Sequence, residues 1–228
     1  MAIGWEASDL FAAGANFHEQ ESSSIDMDDR SFMLDKSGNV ECETMVNGRV
    51  EYSNRFAYCS GTPNIATDLG TLLTQFGNVA DSKAVTTMSI SFRAGAYAEV
   101  TIDGHQHDAN AHSAGIGEGY ADVSAAIPAS AGFGVPTLTG QTIGTDASPV
   151  SLTITFNMNH IDKIGADGTH FTGKNLTCTA ELSEEFEGTP SGAEATDWTT
   201  DSKGGADSSE NNDTYTYTAH RYFDLTTS

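Results

Sequence analysis

The chain has 228 residues, of which 10 are lysine or arginine and 32 are aspartate or glutamate, giving a formal charge of −22 at pH 7. A protein this acidic repels phosphate backbones, which argues against a conventional nucleic-acid-binding protein. The sequence contains no apolar run approaching the roughly 18 residues of a membrane span, and its start lacks the pattern of a secretory signal peptide. We therefore expect a single domain over residues 1–228, made in a cytoplasm and not bound to a membrane.

The first third of the chain predicts an arm, two turns and one helix. Residues 1–29 are polar and acidic without periodicity, as is typical of an N-terminal arm or loop. The segment Phe32–Cys42 predicts a hairpin, and Asn47-Gly48 is a second turn signal of the two-residue type. Over Asn64–Phe76 the apolar residues recur at helical spacing, which predicts one amphipathic helix packed on a sheet.

Alternating apolar and polar residues predict paired strands in the remainder. One hairpin is expected over Thr86–Ile102 and a longer one over Val150–Phe186, with a final strand over Thr214–Leu225. Between them lie a long insertion rich in Gly, Ala and Ser (103–148) and an acidic loop (187–212). The predicted fold is mostly β: an antiparallel β-sandwich or flattened barrel with one packed α-helix and long loops.

Histidines are concentrated at two places. His105 and His107 are two residues apart, so on a strand they share a face, and His112 follows five residues later. Imidazoles at this spacing would bind zinc or another transition metal. The alternative is a solvated or pore-facing His-rich loop. His160 begins the segment 160–173, which we interpret as the loop of the long hairpin.

Signatures of catalysis are missing from the sequence. It contains neither a nucleophile elbow nor a glycine-rich phosphate loop. The acidic run Glu184, Glu185 and Glu187 is typical of a solvated strand end. We therefore expect a protein that is not an enzyme and has no cofactor. The long loops then suit contacts between subunits, because a neighbouring chain supplies burial that a loop lacks alone.

The organisation of the chain resembles that of virion structural proteins of tailed bacteriophages, most of all a tail tube protein. The resemblance covers alternating strands, the helix over Asn64–Phe76, the long polar insertion, the hairpin over Val150–Phe186, an acidic linker with Trp198 and a last strand to Phe223. It implies that copies of the chain form stacked hexameric rings, alongside other virion proteins. DNA would pass through the β-lined channel without specific binding. The protein would be made in the bacterial host cytoplasm and reside in the virion.

The resemblance also implies a role for the polar faces of the two hairpins, which would line or contact the channel. An acidic channel repels DNA, which suits the net charge. The arm and the 103–148 insertion would link rings. The lumen or assembly candidates are Ser151, Thr153, Thr155, Thr177, Thr179 and Glu181.

Two alternative functions stay open at this stage. The first is a capsid decoration or head-fibre protein, which would also be acidic, rich in β-structure and without catalysis. The second is a carbohydrate- or metal-binding β-sandwich module, which would use His105, His107 and His112 as metal ligands.

Overall fold

Antiparallel strands dominate the computed structural model of the chain. The structure describes residues 16–21, 26–62, 64–73, 83–107, 120–136, 138, 148–166, 170–188, 197–206 and 214–225. Within them the elements are, in chain order, β1 (Phe17–Glu21), β2 (Asp26–Leu34), β3 (Val40–Tyr58), α1 (Ile65–Leu73), β4 (Lys83–Arg93), β5 (Ala98–His107), α2 (Tyr120–Ser124), β6 (Ser148–Ile164), β7 (His170–Glu187), β8 (Thr199–Ala206) and β9 (Thr214–Asp224).

The strands form one antiparallel sheet in the order β1-β3-β5-β4-β6-β7-β9-β8, with β2 also paired to β3. β1 pairs with the last residues of β3, and β2 pairs with the first residues of β3. β1 and β2 therefore form one side of a long hairpin, and β3 forms the other side. β4 with β5, β6 with β7 and β8 with β9 form three further hairpins. The sheet is therefore four hairpins side by side, joined through β3–β5, β4–β6 and β7–β9.

One face of the sheet carries the core. On β6, Leu152, Ile154 and Phe156 are fully buried, while the polar residues between them are half-buried on the opposite face. Phe17 of β1 and Phe223 of β9, near opposite ends of the sheet order, belong to the same contiguous core. The predicted fold class, a mostly β, sandwich-like antiparallel fold, is confirmed.

Helix α1 covers part of this core face. Tyr58 of β3 donates its hydroxyl to Asp68 Oδ2 at 2.8 Å, and Asn16 Nδ2 donates to the same oxygen at 2.7 Å. These two bonds tie the helix to the sheet edge. The predicted apolar stripe is buried where the structure describes it, at Ile65, Leu69, Leu72 and Leu73.

Tyr58 makes the stability of the fold sensitive to high pH. Burial and the hydrogen bond to Asp68 raise the pKa of Tyr58 from 10.0 to about 12. The stabilisation that Tyr58 contributes is fully present below pH 10, because its hydroxyl is then protonated in both the folded and the unfolded chain. Above pH 10 the unfolded chain binds fewer protons than the folded chain, so the free energy of unfolding falls as the pH rises towards 12. We expect Tyr58→Phe to show a shallower decline in urea unfolding series across this range. A decline identical to that of the parent chain would contradict the assignment.

Strand also occupies parts of three segments that the sequence predicts as arm, insertion or loop. β1 and the start of β2 lie within 1–29, because both pair with β3. β5 runs to His107, within the 103–148 segment, where α2 also buries Val123. β8 lies within 187–212 and pairs with β9.

Three predicted features are wrong. Glu184, expected at a solvated strand end, is buried in β7, because it alternates in phase with the core residues Leu182 and Phe186. Asn47-Gly48 is not a hairpin turn, because β3 runs through it. Residues 46–48 instead oppose one residue of β2, between the pairs Asp28–Arg49 and Arg30–Met45, which is a β-bulge. The segment 160–173 is mostly strand, since β6 continues to Ile164 and β7 begins at His170.

Candidate functional site

The face of the sheet opposite the core presents a polar surface. Thr155 of β6 lies opposite Glu181 of β7, and the register of this hairpin brings the other candidates onto the same face. All six are half-buried or exposed: Ser151, Thr153, Thr155, Thr177, Thr179 and Glu181. The structure therefore places the predicted lumen or assembly residues together.

Neutral hydroxyl pairs cross this surface between strands. Ser89 Oγ lies 3.4 Å from Thr155 Oγ1, and Ser91 Oγ lies 3.2 Å from Thr153 Oγ1, both across the β4–β6 pair. Serine and threonine hydroxyls are uncharged, so these cross-strand pairs present a polar surface with little charge. The pairs also fix the side-chain conformations of this face.

The polar surface is concave where β6, β7, β8 and β9 meet. A cavity of about 490 Å³ opens there, and neither lysine nor arginine is found among its described lining residues. Two carboxylates border it, Glu181 and Asp201, and His220 Nδ1 lies 2.6 Å from Asp201 Oδ1. The other side chains that define it include Thr153, Thr179, Ser183 and Tyr222. The cavity is thus a hydroxyl-rich, weakly acidic concavity.

The hairpin of β2 and β3 continues beyond the part of β3 that pairs with the described residues of β5. Among the described residues, β3 pairs with β5 over Arg49–Tyr58, and its residues 40–48 pair only with β2. The turn is fixed by Asp35 Oδ1, which accepts hydrogen bonds of 2.8 Å from the amides of Ser37 and Asn39.

Three apolar side chains lie exposed at the end of this hairpin. Met33, Leu34 and Val40 are 64%, 58% and 56% exposed, and we call them the hairpin tip. Leu34 pairs with Val40 across the hairpin, and Met33 is the residue before Leu34 in β2.

The structure places His105 beside partners that the sequence did not predict. Its ring is buried and lies 4.9 Å from that of His160, centre to centre. His105 Nε2 is 3.3 Å from Asp162 Oδ2, and His160 Nε2 is 3.0 Å from Asp162 Oδ1. His107 of β5 pairs with Arg49 of β3, and His112 falls outside the described residues. We call His105, His160 and Asp162 the His–Asp cluster.

The sheet order explains why this cluster forms. β5 and β6 lie on the two sides of β4, so His105 and His160 approach each other across that strand. Register shifts occur next to the cluster, where Thr86 is an extra residue in β4 and Leu176 is an extra residue in β7, beside Asn159–His160. Bulges of this kind redirect side chains.

Asn175 of β7 fixes the orientation of the His160 ring. Asn175 Nδ2 donates to the carbonyl of Val85 at 3.2 Å, so Asn175 Oδ1 faces His160 Nδ1, at 2.7 Å. The signal that could have found these residues is the alternation of β6. His160 and Asp162 continue the buried face of Met158, where polar side chains are unusual.

Comparison of the sequence with known proteins found no match. No protein-family model matches the chain, and the curated proteins contain no sequence similar to it. Neither of the two described helices has the length and apolar character needed to cross a bilayer. Function must therefore be inferred from the residues and their geometry.

Proposed function

We propose that the protein is a non-enzymatic virion structural subunit, which assembles with copies of itself into the stacked rings of a phage tail tube. The observation that carries this proposal is the concave, hydroxyl-rich face formed by the long hairpin β6–β7 and its neighbours. Its carboxylates, Glu181 and Asp201, repel phosphate, and its described lining offers no lysine or arginine to hold it. DNA could slide along such a wall without specific binding.

The hairpin tip supplies a contact between copies. Its apolar side chains are exposed at the end of β2 and the start of β3, where the described residues form a two-stranded pair. The occupant we propose is a second copy of this chain. Two chains that each carry a formal charge of −22 repel one another, so a contact between them is favoured at apolar side chains such as those of the tip.

Electron microscopy of the purified full chain tests the proposed assembly. Negative staining is expected to show rings or tubes with a central channel. A monodisperse monomer at high protein concentration would contradict the proposal. Trimers would favour the capsid decoration or head-fibre alternative instead.

Polar substitution of the hairpin tip is expected to impair assembly. The triple variant Met33→Ser, Leu34→Ser, Val40→Ser removes the apolar contact area, and we expect the association constant to fall at least tenfold. Sedimentation velocity measures the assembled fraction, and circular dichroism checks that the variant is folded.

A matched control comes from Tyr222, which is 71% exposed on the polar face. Tyr222→Ser removes an exposed aromatic side chain without changing the tip, so assembly is expected to persist. If the triple variant assembles as well as the Tyr222→Ser control, the tip is not the contact between copies.

A further inference from the structure

We propose that the His–Asp cluster binds one divalent transition-metal ion of the zinc type, through His105 Nε2, His160 Nε2 and an oxygen of Asp162. This inference is independent of the proposed tail-tube function. It concerns three largely buried side chains and does not require assembly.

The first step is the protonation state of His160. The carbonyl oxygen of Asn175 cannot donate a hydrogen bond, so the proton of this contact belongs to His160 Nδ1. The orientation of the Asn175 amide is itself set, because its nitrogen donates to the Val85 carbonyl. In the neutral ring, His160 Nε2 therefore carries a lone pair.

That lone pair points at a carboxylate. His160 Nε2 lies 3.0 Å from Asp162 Oδ1, and both atoms are acceptors when the ring is neutral. Two acceptors at this distance, with both side chains largely buried, repel each other unless a cation joins them. The cation is either a second proton on the ring or a metal ion.

His105 favours the metal ion. Its Nε2 lies 3.3 Å from the other oxygen of the same carboxylate, so two imidazoles converge on one aspartate. The ligand atoms of all three residues lie within 4.8 Å of one another. Two ligand atoms held about 2.1 Å from a tetrahedral ion are about 3.4 Å apart. The observed nitrogen–oxygen distances of 3.3 and 3.0 Å are close to this value, although they run to the two different oxygens of Asp162. One ion could therefore replace two separate protons.

The donor set selects the class of metal. Two imidazole nitrogens with one carboxylate suit Zn²⁺ and related transition metals, whereas Ca²⁺ and Mg²⁺ prefer oxygen ligands alone. The His160–Asn175 hydrogen bond is of the kind that orients a metal-binding histidine through its second ring nitrogen. A bound ion would link β5 to β6 across β4.

Titration of Zn²⁺ into the tag-free, chelator-treated full chain tests the proposal. We expect one equivalent to bind by calorimetry. At a hundredfold excess over Kd, Tm is expected to rise by roughly 5–10 °C. Nitrogen-15 NMR of the imidazole rings gives a readout on the parent chain. His160 should keep its Nδ1 proton, while the Nε2 signals of His105 and His160 shift on addition of Zn²⁺.

Variants separate this site from the other histidines. Asp162→Asn and His160→Gln are expected to weaken Zn²⁺ binding more than a hundredfold, and Asn175→Ala to weaken it tenfold to a hundredfold, as for other residues that orient a ligand. His220→Gln is the matched control, because His220 forms a comparable pair with Asp201 on the polar face. This control should bind Zn²⁺ as the parent chain does.

Three results would overturn the proposal. The first is binding of less than one equivalent to the parent chain. The second is binding that survives Asp162→Asn in a folded variant. The third is an NMR spectrum in which His160 carries protons on both ring nitrogens and does not change with Zn²⁺. In that case a proton on His160 Nε2, and not a metal ion, joins His160 to the carboxylate of Asp162.

Discussion

Replacing Gly104 by alanine is expected to lower the free energy of unfolding by about 3 kcal/mol or more. Gly104 lies in β5 between Tyr52 of β3 and Val85 of β4. The ring of Tyr52 passes over it, and the Tyr52 hydroxyl donates to the carbonyl of Ala84 at 2.7 Å. A methyl group at Gly104 would overlap both that carbonyl and the hydroxyl, and would lie 2.7 Å from Tyr52 Cζ. The backbone of β4 cannot give way cheaply, so the buried hydrogen bond is lost.

Gly204→Ala is the control for this experiment. Gly204 also lies within a strand, β8, but nothing comes within 4 Å of an added Cβ there. Gly204→Ala should change the free energy of unfolding of the protein by less than about 1 kcal/mol. Urea unfolding of both variants makes the comparison. Similar losses in the two variants would show that Tyr52 does not close over Gly104 in this way.

Phe156→Ala is expected to cost about 3–5 kcal/mol and to lower Tm by roughly 6–20 °C. Phe156 is fully buried in the middle of β6, with Met88 of β4 opposite it on one side and Ala180 of β7 on the other. Truncation leaves a cavity in the centre of the sheet, where paired strands on both sides limit collapse. Calorimetry or thermal circular dichroism measures the loss.

The neighbouring residue gives a control that also tests the strand register. Thr155 lies on the polar face, where its hydroxyl contacts Ser89, so Thr155→Ala should cost less than about 1 kcal/mol. A shift of β6 by one residue would exchange the two side chains between core and surface. A larger loss for Thr155→Ala than for Phe156→Ala would therefore contradict the register.

The parts of the fold that the sequence predicts best are those where side chains alternate between core and surface. β6 is the clearest case, because Leu152, Ile154 and Phe156 are buried and their neighbours are polar. β8 was missed for the opposite reason. Residues 201–205 are all exposed. β8 is the last strand in the sheet order, so its sequence does not show the alternation of apolar and polar residues that predicts a strand.

The sequence predicts the wrong structure at Asn47-Gly48 and does not predict the His–Asp cluster, because both depend on pairing between distant segments. Asn and Gly suit a turn and a bulge equally well, and only the pairing of β3 with β2 and β5 decides between them. The sequence predicts His105 as a candidate ligand, with His107 and His112 as its partners. Its neighbours come from β6, two places away in the sheet, and local spacing carries no information on sheet order.

The four-hairpin order of the sheet has a kinetic consequence. Each hairpin closes between strands that are neighbours in the sequence, whereas β3–β5 and β4–β6 join strands separated by a helix or by the whole insertion. Local closure is fast, and contacts between distant segments are slow. The rate of folding should therefore be limited by docking of preformed hairpins. An ion bound by His105 and His160 would bridge the second and third hairpins only after they dock, so it would act by slowing unfolding.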